Sequence, residues 1–516
     1  MKDVDAGRIL HRAQEHQRAG RFAEAEALCA QILRDQPDHR DALHLLSIVA
    51  MQTGRIEMAV DLAARAAAAH PLVAELHANL GEFSRQAGRL DQSVASFQRA
   101  VALKPHEPTF HNGLGLALGE RRQPEIAVKE FERAIQLKPD YADAYGNLGG
   151  ALRQLGRFDE AHAALGAAVR LQPRVARAHH NLALVLADQR KFSEAIESYR
   201  RAIAIEPDFR QAHWDLGMLY LLLGDLERGW REYQWRPGAA HRFAQPQWAG
   251  EDLRDKTILL YAEQGFGDAI QFVRYVPMVA ARGARIVLAC HAELTRLLSH
   301  VAPVAMIGQP LPPFDVHCSL LSLPFAMGTT LDNIPAHVPY LKPGEELSAK
   351  WRQRLGEKTG KPRVGLVWAG RPQHPNDSRR SVRFEQLTPL LAVEGVEFVS
   401  LQKGLAINQT SASRLIDFAC ELEDFSDTAA LIESLDLVIT VDTAVAHLAG
   451  AMGKAVWVLL PSMPDWRWML DREDSPWYPT MRLFRQRDRG DWSVPIERMA
   501  RELAAMVTGQ RRGPAV

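Results

Sequence analysis

The chain is predicted to be an all-α solenoid followed by an α/β region with two sets of parallel strands. Three observations carry this. Six prolines, Pro37, Pro71, Pro105, Pro139, Pro173 and Pro207, recur every 34 residues without a slip. That register stops near Trp235. Beyond it, short apolar runs alternate with helical patterns, the signature of strand–helix units.

The other phases of the repeat agree with the prolines. Gly20, Gly54, Gly88, Gly156 and Gly224 share one phase, where two helices must turn sharply. Ala25, Ala59, Ala127, Ala161 and Ala195 share a second, where a small side chain lets helices approach. Leu46, Leu80, Leu114, Leu148, Leu182 and Leu216 fill a third, with Gly81, Gly115, Gly149 and Gly217 directly after four of them. The residue before each proline is pushed out of helical φ/ψ, which closes the unit. Arg12 stands where later units have leucine, as an end cap allows. A seventh unit begins near Arg210 and ends irregularly in Gly229-Trp230-Arg231-Glu232-Tyr233-Gln234-Trp235.

Composition bounds the remainder. The 516 residues exceed one ordinary core. A hydrophobic content of 47% and a charged content of 24% are those of a soluble globular protein. The 62 basic and 62 acidic residues cancel, which disfavours nucleic acid as a partner. Cys29, Cys290, Cys318 and Cys420 lie far apart and read as reduced thiols, with no metal site. The start Met1-Lys2-Asp3-Val4-Asp5 carries no apolar signal, and the run around Leu435–Pro461 is broken by charges. A cytoplasmic protein without a transmembrane segment is expected; peripheral contact with a membrane stays open.

The solenoid is expected over 6–236 and a linker over 237–256, after Pro237-Gly238. Strands are expected at Thr257–Glu263, Ala284–Cys290 and Val304–Ile307, with a helix at Asp268–Arg282. This first half, 257–345, is short. A second half, 346–508, opens with a helix at Leu347–Leu355. It has strand candidates at Val364–Ala369, Val396–Leu401, Leu437–Val441, Ala455–Leu460 and Met481–Arg485. Helices fall at Phe384–Leu391, Thr428–Ser434, Ala444–Met452 and Ile496–Met506, and 509–516 is expected to be a disordered tail. Parallel sheets bind ligands beyond their strand C-termini.

Four segments sit at such ends. In Glu263-Gln264-Gly265-Phe266-Gly267-Asp268 the glycines permit a tight turn, and Asp268 can act as general base on a hydroxyl or simply cap a helix. Val441-Asp442-Thr443-Ala444-Val445-Ala446-His447 opens a helix whose N–H groups suit a diphosphate. There Ala444 keeps the approach open, Thr443 can donate, and His447 lies one turn in; a plain capped helix with a buried histidine is the alternative. The loop from Gly370 to Ser381 carries Arg371, Arg379 and Arg380, which pair with phosphates or face solvent. Gln402 and Lys403 end a strand, where Lys403 neutralises a leaving phosphate or stays on the surface. In Trp466-Arg467-Trp468 the aromatic faces stack on sugars and bases or pack a sheet edge.

The 34-residue helix–turn–helix unit resembles the tetratricopeptide repeat. The second half resembles glycosyltransferase family 9, the heptosyltransferase-like group of GT-B fold with two facing Rossmann domains. Gly265-Phe266-Gly267-Asp268 is similar to that family's G-x-G-D loop, whose aspartate is the catalytic base. Asp442-Thr443-Ala444-Val445-Ala446-His447-Leu448-Ala449 is similar to its D-T-G-x-x-H-L-A nucleotide-sugar motif, with Ala444 in place of glycine. The resemblance implies a glycosyltransferase, inverting and metal-independent, with a nucleotide diphospho-sugar as donor and no further cofactor. Asp268 would be its base. Gly265, Gly267, Arg371, Arg379, Arg380, Ser381, Gln402, Lys403, Asp442, Thr443, Ala444, His447 and Trp466 would be its donor site.

Repeats fused to such a domain also resemble the protein O-GlcNAc transferases. That implies a protein or peptide acceptor in the solenoid groove, met by Asn79, Asn147 and Asn181 at one repeat phase, with Asp215 a repeat further on. Gly113 interrupts the phase, with Asn112 one place off. Local helix-to-helix bonding is the alternative. Two other functions remain: an interaction scaffold with an inactive α/β half, and transfer to a glycan or lipid precursor with the repeats recruiting the enzyme.

Overall fold

The computed structural model describes residues 3–238, 243–374, 376–404 and 415–509. Part of the expected linker, 239–242, and the expected tail from 510 on lie outside the described residues. The chain forms two compact units, Met1–Ala212 and His213–Val516. No described helix is long and apolar enough to cross a membrane.

The first unit is a run of paired helices, from Asp3–Arg18 with Phe22–Asp35 to Ala176–Asp188 with Phe192–Ile205. Each pair ends as the prolines dictate. Gln36, His70, Lys104, Lys138, Gln172 and Glu206 have φ between −129° and −139° and ψ between 65° and 91°. The proline ring forces the residue before it out of the helical well. The alanine phase is fully buried, and Ser93, which stands in it, donates its hydroxyl to the Gly81 carbonyl at 2.7 Å. The glycine after the leucine phase marks a close crossing. A Cβ on Gly81 would lie 2.7 Å from the Phe97 ring, and one on Gly115 2.6 Å from Phe131.

The turn phase holds a departure from the glycine pattern. Gly20, Gly54, Gly88 and Gly156 have φ of 72–75°, and Arg122 and Arg190 adopt 62° and 58° at the same phase. A side chain there costs about 1 kcal/mol against glycine.

In the second unit β1 (Thr257–Tyr261), β2 (Arg285–Cys290), β3 (Val304–Met306) and β4 (Val316–Ser319) form a parallel sheet in the order β3-β2-β1-β4. Strands β5 (Arg363–Val367), β6 (Glu397–Ser400), β7 (Leu415–Asp417), β8 (Leu437–Val441), β9 (Val456–Leu460) and β10 (Met481–Arg485) form a second, β10-β9-β8-β5-β6-β7. It is also parallel throughout. Counted from β5, this is the doubly wound order 3-2-1-4-5-6. Its direction reverses between β5 and β8, and that of the smaller sheet between β1 and β4. Ligand crevices in open parallel sheets lie at such reversals. Leu366, Phe398, Ile439 and Leu459 pack with Ile496, Met499 and Leu503 of the closing helix Ser493–Val507.

Two strands escaped the sequence pattern. β4 reads Val-His-Cys-Ser and β7 spans three residues, too little apolar character to register. The helix expected over Asp268–Arg282 is broken into Phe266–Phe272, a 3-10 turn Val273–Tyr275 and Val276–Ala280. Pro277 lies in the first turn of the last piece, where its missing N–H costs nothing.

The irregular end of the seventh repeat belongs to the second unit. On the helix Leu226–Tyr233, Trp230 is 1% exposed. Its ring meets Trp466 edge-on at 5.1 Å, and its indole N–H donates to the Thr329 carbonyl at 3.0 Å. Arg236 then donates from Nε and Nη2 to the Glu263 carboxylate at 2.7 and 2.8 Å, both side chains fully buried. Ser322 Oγ accepts a further bond at 2.9 Å. The linker is also engaged: Trp248 N–H donates to the His317 carbonyl of β4 at 2.8 Å.

Two substitutions test these contributions. Arg122→Gly is expected to raise stability by about 1 kcal/mol, read as a higher urea midpoint. Arg236→Met leaves Glu263 charged and unpaired, and is expected to cost about 3–5 kcal/mol. Adding Glu263→Leu should return much of that loss in the same unfolding assay.

Candidate active site

The site starts where β1 ends. Gly265 caps the helix Phe266–Phe272, and Asp268, its third residue, accepts from the Gly265 N–H at 2.8 Å. The capping reading of Asp268 therefore accounts for one oxygen. The other accepts from the Arg467 guanidinium, and the side chain keeps 19% exposure. Burial pushes the Asp268 carboxyl above its ordinary value; Arg467 and the Gly265 N–H oppose this, and Asp465 and Glu263 add to it.

Gly267 lies within the helix rather than in a turn, and its lack of a side chain serves packing. A Cβ there would lie 2.9 Å from His447 Cδ2 and 3.5 Å from Ala444 Cα. Its absence lets this helix lie against the start of the helix Ala444–Ala451, which follows β8. Residues from the ends of two different sheets thus meet in one place.

Thr443 caps the Ala444–Ala451 helix with extended backbone and no side-chain bond to it; its Oγ1 lies 3.1 Å from Thr440 Oγ1. Among the described residues, Thr443 offers the first amides of the helix no side-chain acceptor, and that of Ala446 donates to the Thr443 carbonyl at 3.0 Å. His447 is buried, with Nδ1 3.0 Å from the Tyr478 hydroxyl and the ring stacked on Trp468 at 5.3 Å. Burial, with Arg467, Arg274 and Arg380 nearby, holds its pKa well below 6.5, so the imidazole is neutral. Asp442 is raised by burial and by Asp465, against Arg380 and Arg467.

The arginine loop reaches the same place. Arg371 sets its guanidinium 4.6 Å above the Phe266 ring. Arg380 lies 3.7 Å from Asp377, and a Cβ on Gly370 would fall 2.6 Å from its Nη2. Arg379 is exposed. Ser381 Oγ accepts from Gly370 N–H at 2.9 Å and donates to Asp377 at 2.8 Å.

Other expected donor contacts are spent within the protein. Gln402 Oε1 accepts from the Trp368 and Ala369 N–H groups, and Nε2 donates to the Ala369 and Lys403 carbonyls, all at 3.0–3.1 Å. It braces the end of β5. The Lys403 ammonium donates to the Leu422 carbonyl. Trp466 has no face left for a ligand: it is 1% exposed, within 6.4 Å of Trp230, Tyr233, Phe272 and Trp477, and Arg467 lies 4.3 Å over its ring.

Sequence reasoning passed over Arg467, which links the two sides. It donates to Asp268, to Asp465 Oδ1 at 2.9 Å and to Gln271 Oε1 at 2.7 Å. Burial works against its charge, but Asp465 and Asp268 hold it ionised. His374 was also missed; its pKa is lowered by burial and Arg380, and Asp268 acts on it in the opposite sense. A lone histidine in a basic loop carries no sequence signal.

In the solenoid, Asn79 Nδ2 lies 2.6 Å from His44 Nε2, and Asn147 donates to Asn112 Oδ1 at 2.9 Å. Helix-to-helix bonding thus engages two of the three asparagines; Asn181 is half-buried. A histidine phase went unnoticed: His77, His111 and His179 place Nε2 3.0–3.1 Å from the Pro71, Pro105 and Pro173 carbonyls.

The site should leave a signature in the pH dependence of stability. The unfolded chain protonates His447 near 6.5, while the folded chain resists until lower pH, so stability falls as pH drops below 6.5. Asp268 works in the opposite sense, losing stability as pH rises from 3.8 through its folded value. His447→Gln should flatten the loss below 6.5, measured by urea unfolding at stepped pH.

The tetratricopeptide repeat model matches residues 10–71, 45–108, 112–174, 151–208 and 180–232. Protein FlbA of Caulobacter vibrioides is 28% identical over 323 residues, which cover 55% of this chain. The match spans about half of that protein's own length, 53%. Among solved structures, the APC/C hetero-tetramer Cut9–Hcn1 aligns at 23% identity and a TM-score of 0.37, over 42% of either chain. YrrB, a TPR protein with an unusual peptide-binding site, aligns at 20% and 0.31, over 36% of this chain and 95% of its own. PilF of Pseudomonas aeruginosa aligns at 16% and 0.36, over 40% and 93%. Tetratricopeptide repeats thus run across the N-terminal part of the chain, through residue 232.

Proposed function

We propose that the α/β region is a GT-B glycosyltransferase that moves a sugar from a nucleotide diphospho-sugar to an acceptor hydroxyl, on a protein segment bound by the repeats. One observation carries this reading. The carboxylate after β1 and the uncapped helix start after β8 are brought together by Gly267, each at the reversal of a parallel sheet.

The chemistry follows from those groups. The diphosphate lies against the amides that open Ala444–Ala451, with Arg371 and Arg380 within the same loop cluster. Asp268 takes the proton of the acceptor hydroxyl, and its raised pKa suits that role. The hydroxyl oxygen attacks the anomeric carbon from the face opposite the diphosphate. The bond to the diphosphate breaks, its electron pair leaves with the phosphate oxygen, and the configuration inverts. Arg467 aims the base by holding one carboxylate oxygen. Neutral His447 donates or accepts a hydrogen bond without adding charge.

The second reading rests on the repeats alone. Tetratricopeptide arrays bind protein or peptide segments, so a scaffold with an inert α/β region explains residues 10–232 equally well. A panel of nucleoside diphosphates and their sugars separates the two. The enzyme reading expects one base class to raise the melting temperature, by about 2.7 kcal/mol of linkage at a hundredfold excess over Kd. Asp268→Asn should keep that shift and lose sugar transfer by at least about a hundredfold. No shift with any nucleotide leaves the scaffold.

A further inference from the structure

His447 commits one ring nitrogen to the protein and leaves the other open. Nδ1 lies 3.0 Å from the Tyr478 hydroxyl. Nε2 bonds nothing among the described residues and, unlike Gln271 Nε2, is not sealed off. It sits where the two helix starts touch, 3.5 Å from the place a Gly267 Cβ would take. What Nε2 offers a ligand depends on which way the bond at Nδ1 runs. Either Tyr478 donates to a bare Nδ1, or Nδ1 carries the proton and donates to the phenol oxygen.

The other partners of Tyr478 separate these two cases. Its side chain is fully buried, so a hydroxyl proton without an acceptor would cost about 1–3 kcal/mol. Among the described residues that hydroxyl meets one further group, the Tyr340 hydroxyl at 3.5 Å, beyond ordinary O–H···O reach. Tyr340 is also committed elsewhere. It accepts from Arg274 Nη2 at 2.9 Å and donates to the Ile270 carbonyl at 3.0 Å. Nδ1 is therefore the acceptor for Tyr478, and the proton of the neutral imidazole sits on Nε2.

The packing holds this pair in place. Gly450 lies one turn beyond His447 on the same helix, and a Cβ there would fall 2.6 Å from Tyr478 Cδ1. Its absence seats the phenol beside the imidazole, whose ring stacks on Trp468. Arg274 lies 4.5 Å over the Tyr478 ring. It spends its donors on the Gln271, Pro335 and Trp477 carbonyls and on Tyr340, so among the described residues no carboxylate neutralises it. That charge opposes a second proton on His447.

We propose that Tyr478 is a positioning residue that holds His447 as the Nε2–H tautomer, so that a neutral hydrogen-bond donor faces the junction of the two helix starts. Such a donor selects an acceptor as its ligand. The tautomer stands without the proposed transfer reaction; donation to a diphosphate oxygen of the nucleotide rests on that reading.

Long-range proton–nitrogen correlation spectra of the full chain, labelled with ¹⁵N in its imidazoles, test the tautomer at about pH 8, where the ring is neutral. The signals lost in His447→Gln identify the residue. Nε2 is expected to be the protonated nitrogen and Nδ1 the bare one. Tyr478→Phe, which keeps the ring in the space beside Gly450, should shift the Nδ1 signal and let the Nδ1–H form appear. Tyr340→Phe should leave the tautomer as it is. A proton on Nδ1 in the unmutated protein overturns the proposal, as does a tautomer ratio that Tyr478→Phe leaves unaltered. Calorimetry with ADP, GDP, UDP and CDP then reads the use of the donor. Tyr478→Phe is expected to weaken the bound diphosphate about tenfold. Binding unaltered by Tyr478→Phe overturns donation to phosphate, whereas no binding of any of the four to the unmutated protein overturns the transfer reading alone.

Discussion

The second unit depends on a missing side chain. With any Cβ at 267, the helix after β1 would strike the His447 imidazole. Glycine lets the two helix starts touch, and Arg467 acts electrostatically on both Asp268 and His447. A packing constraint, rather than any individual hydrogen bond, therefore brings the two helix starts together. The backbone here makes no turn that needs glycine, since Gly265 is extended and Gly267 helical; the close approach is what demands glycine.

Charge follows from that packing. Arg467 is 8% exposed, a burial that a cation tolerates only when paired. Asp465 and Asp268 supply the pairing from either side. The arrangement ties the Asp268 carboxylate to Arg467 and leaves its second oxygen on a backbone amide. The same logic governs the other end of the segment, where Arg236 neutralises Glu263 with full burial of both. Glu263 precedes Gly265 by two residues, so that ion pair anchors the strand end from which the site grows. The last helical pair is thereby part of the α/β core, and Trp230 fills the space beside Trp466.

Much of this was legible, for a physical reason. A repeat writes each of its constraints many times, so the proline and alanine phases could be read directly. β8 was read to the residue because a fully buried parallel strand is a nearly continuous apolar run, and β10 was too, although Arg482 and Arg485 interrupt its apolar residues. What one sequence hides is substitution within a constraint: Arg122 and Arg190 carry a glycine's backbone without its signature. It also hides partners distant along the chain. Arg467 lies 199 residues from Asp268, and nothing local marks the pair. Gln402 and Lys403 misled for the opposite reason, since polar groups at a strand end serve unsatisfied backbone as readily as ligands. Trp466 misled because stacking on a sugar and packing in a core use the same ring.

The most direct measurement is a crystal structure of the full chain with a bound nucleoside diphosphate. The account predicts its phosphates against the amides that open Ala444–Ala451, with the Asp268 carboxylate facing the open side of the terminal phosphate. Phosphates bound away from that helix start, with Asp268 and His447 untouched, would contradict it.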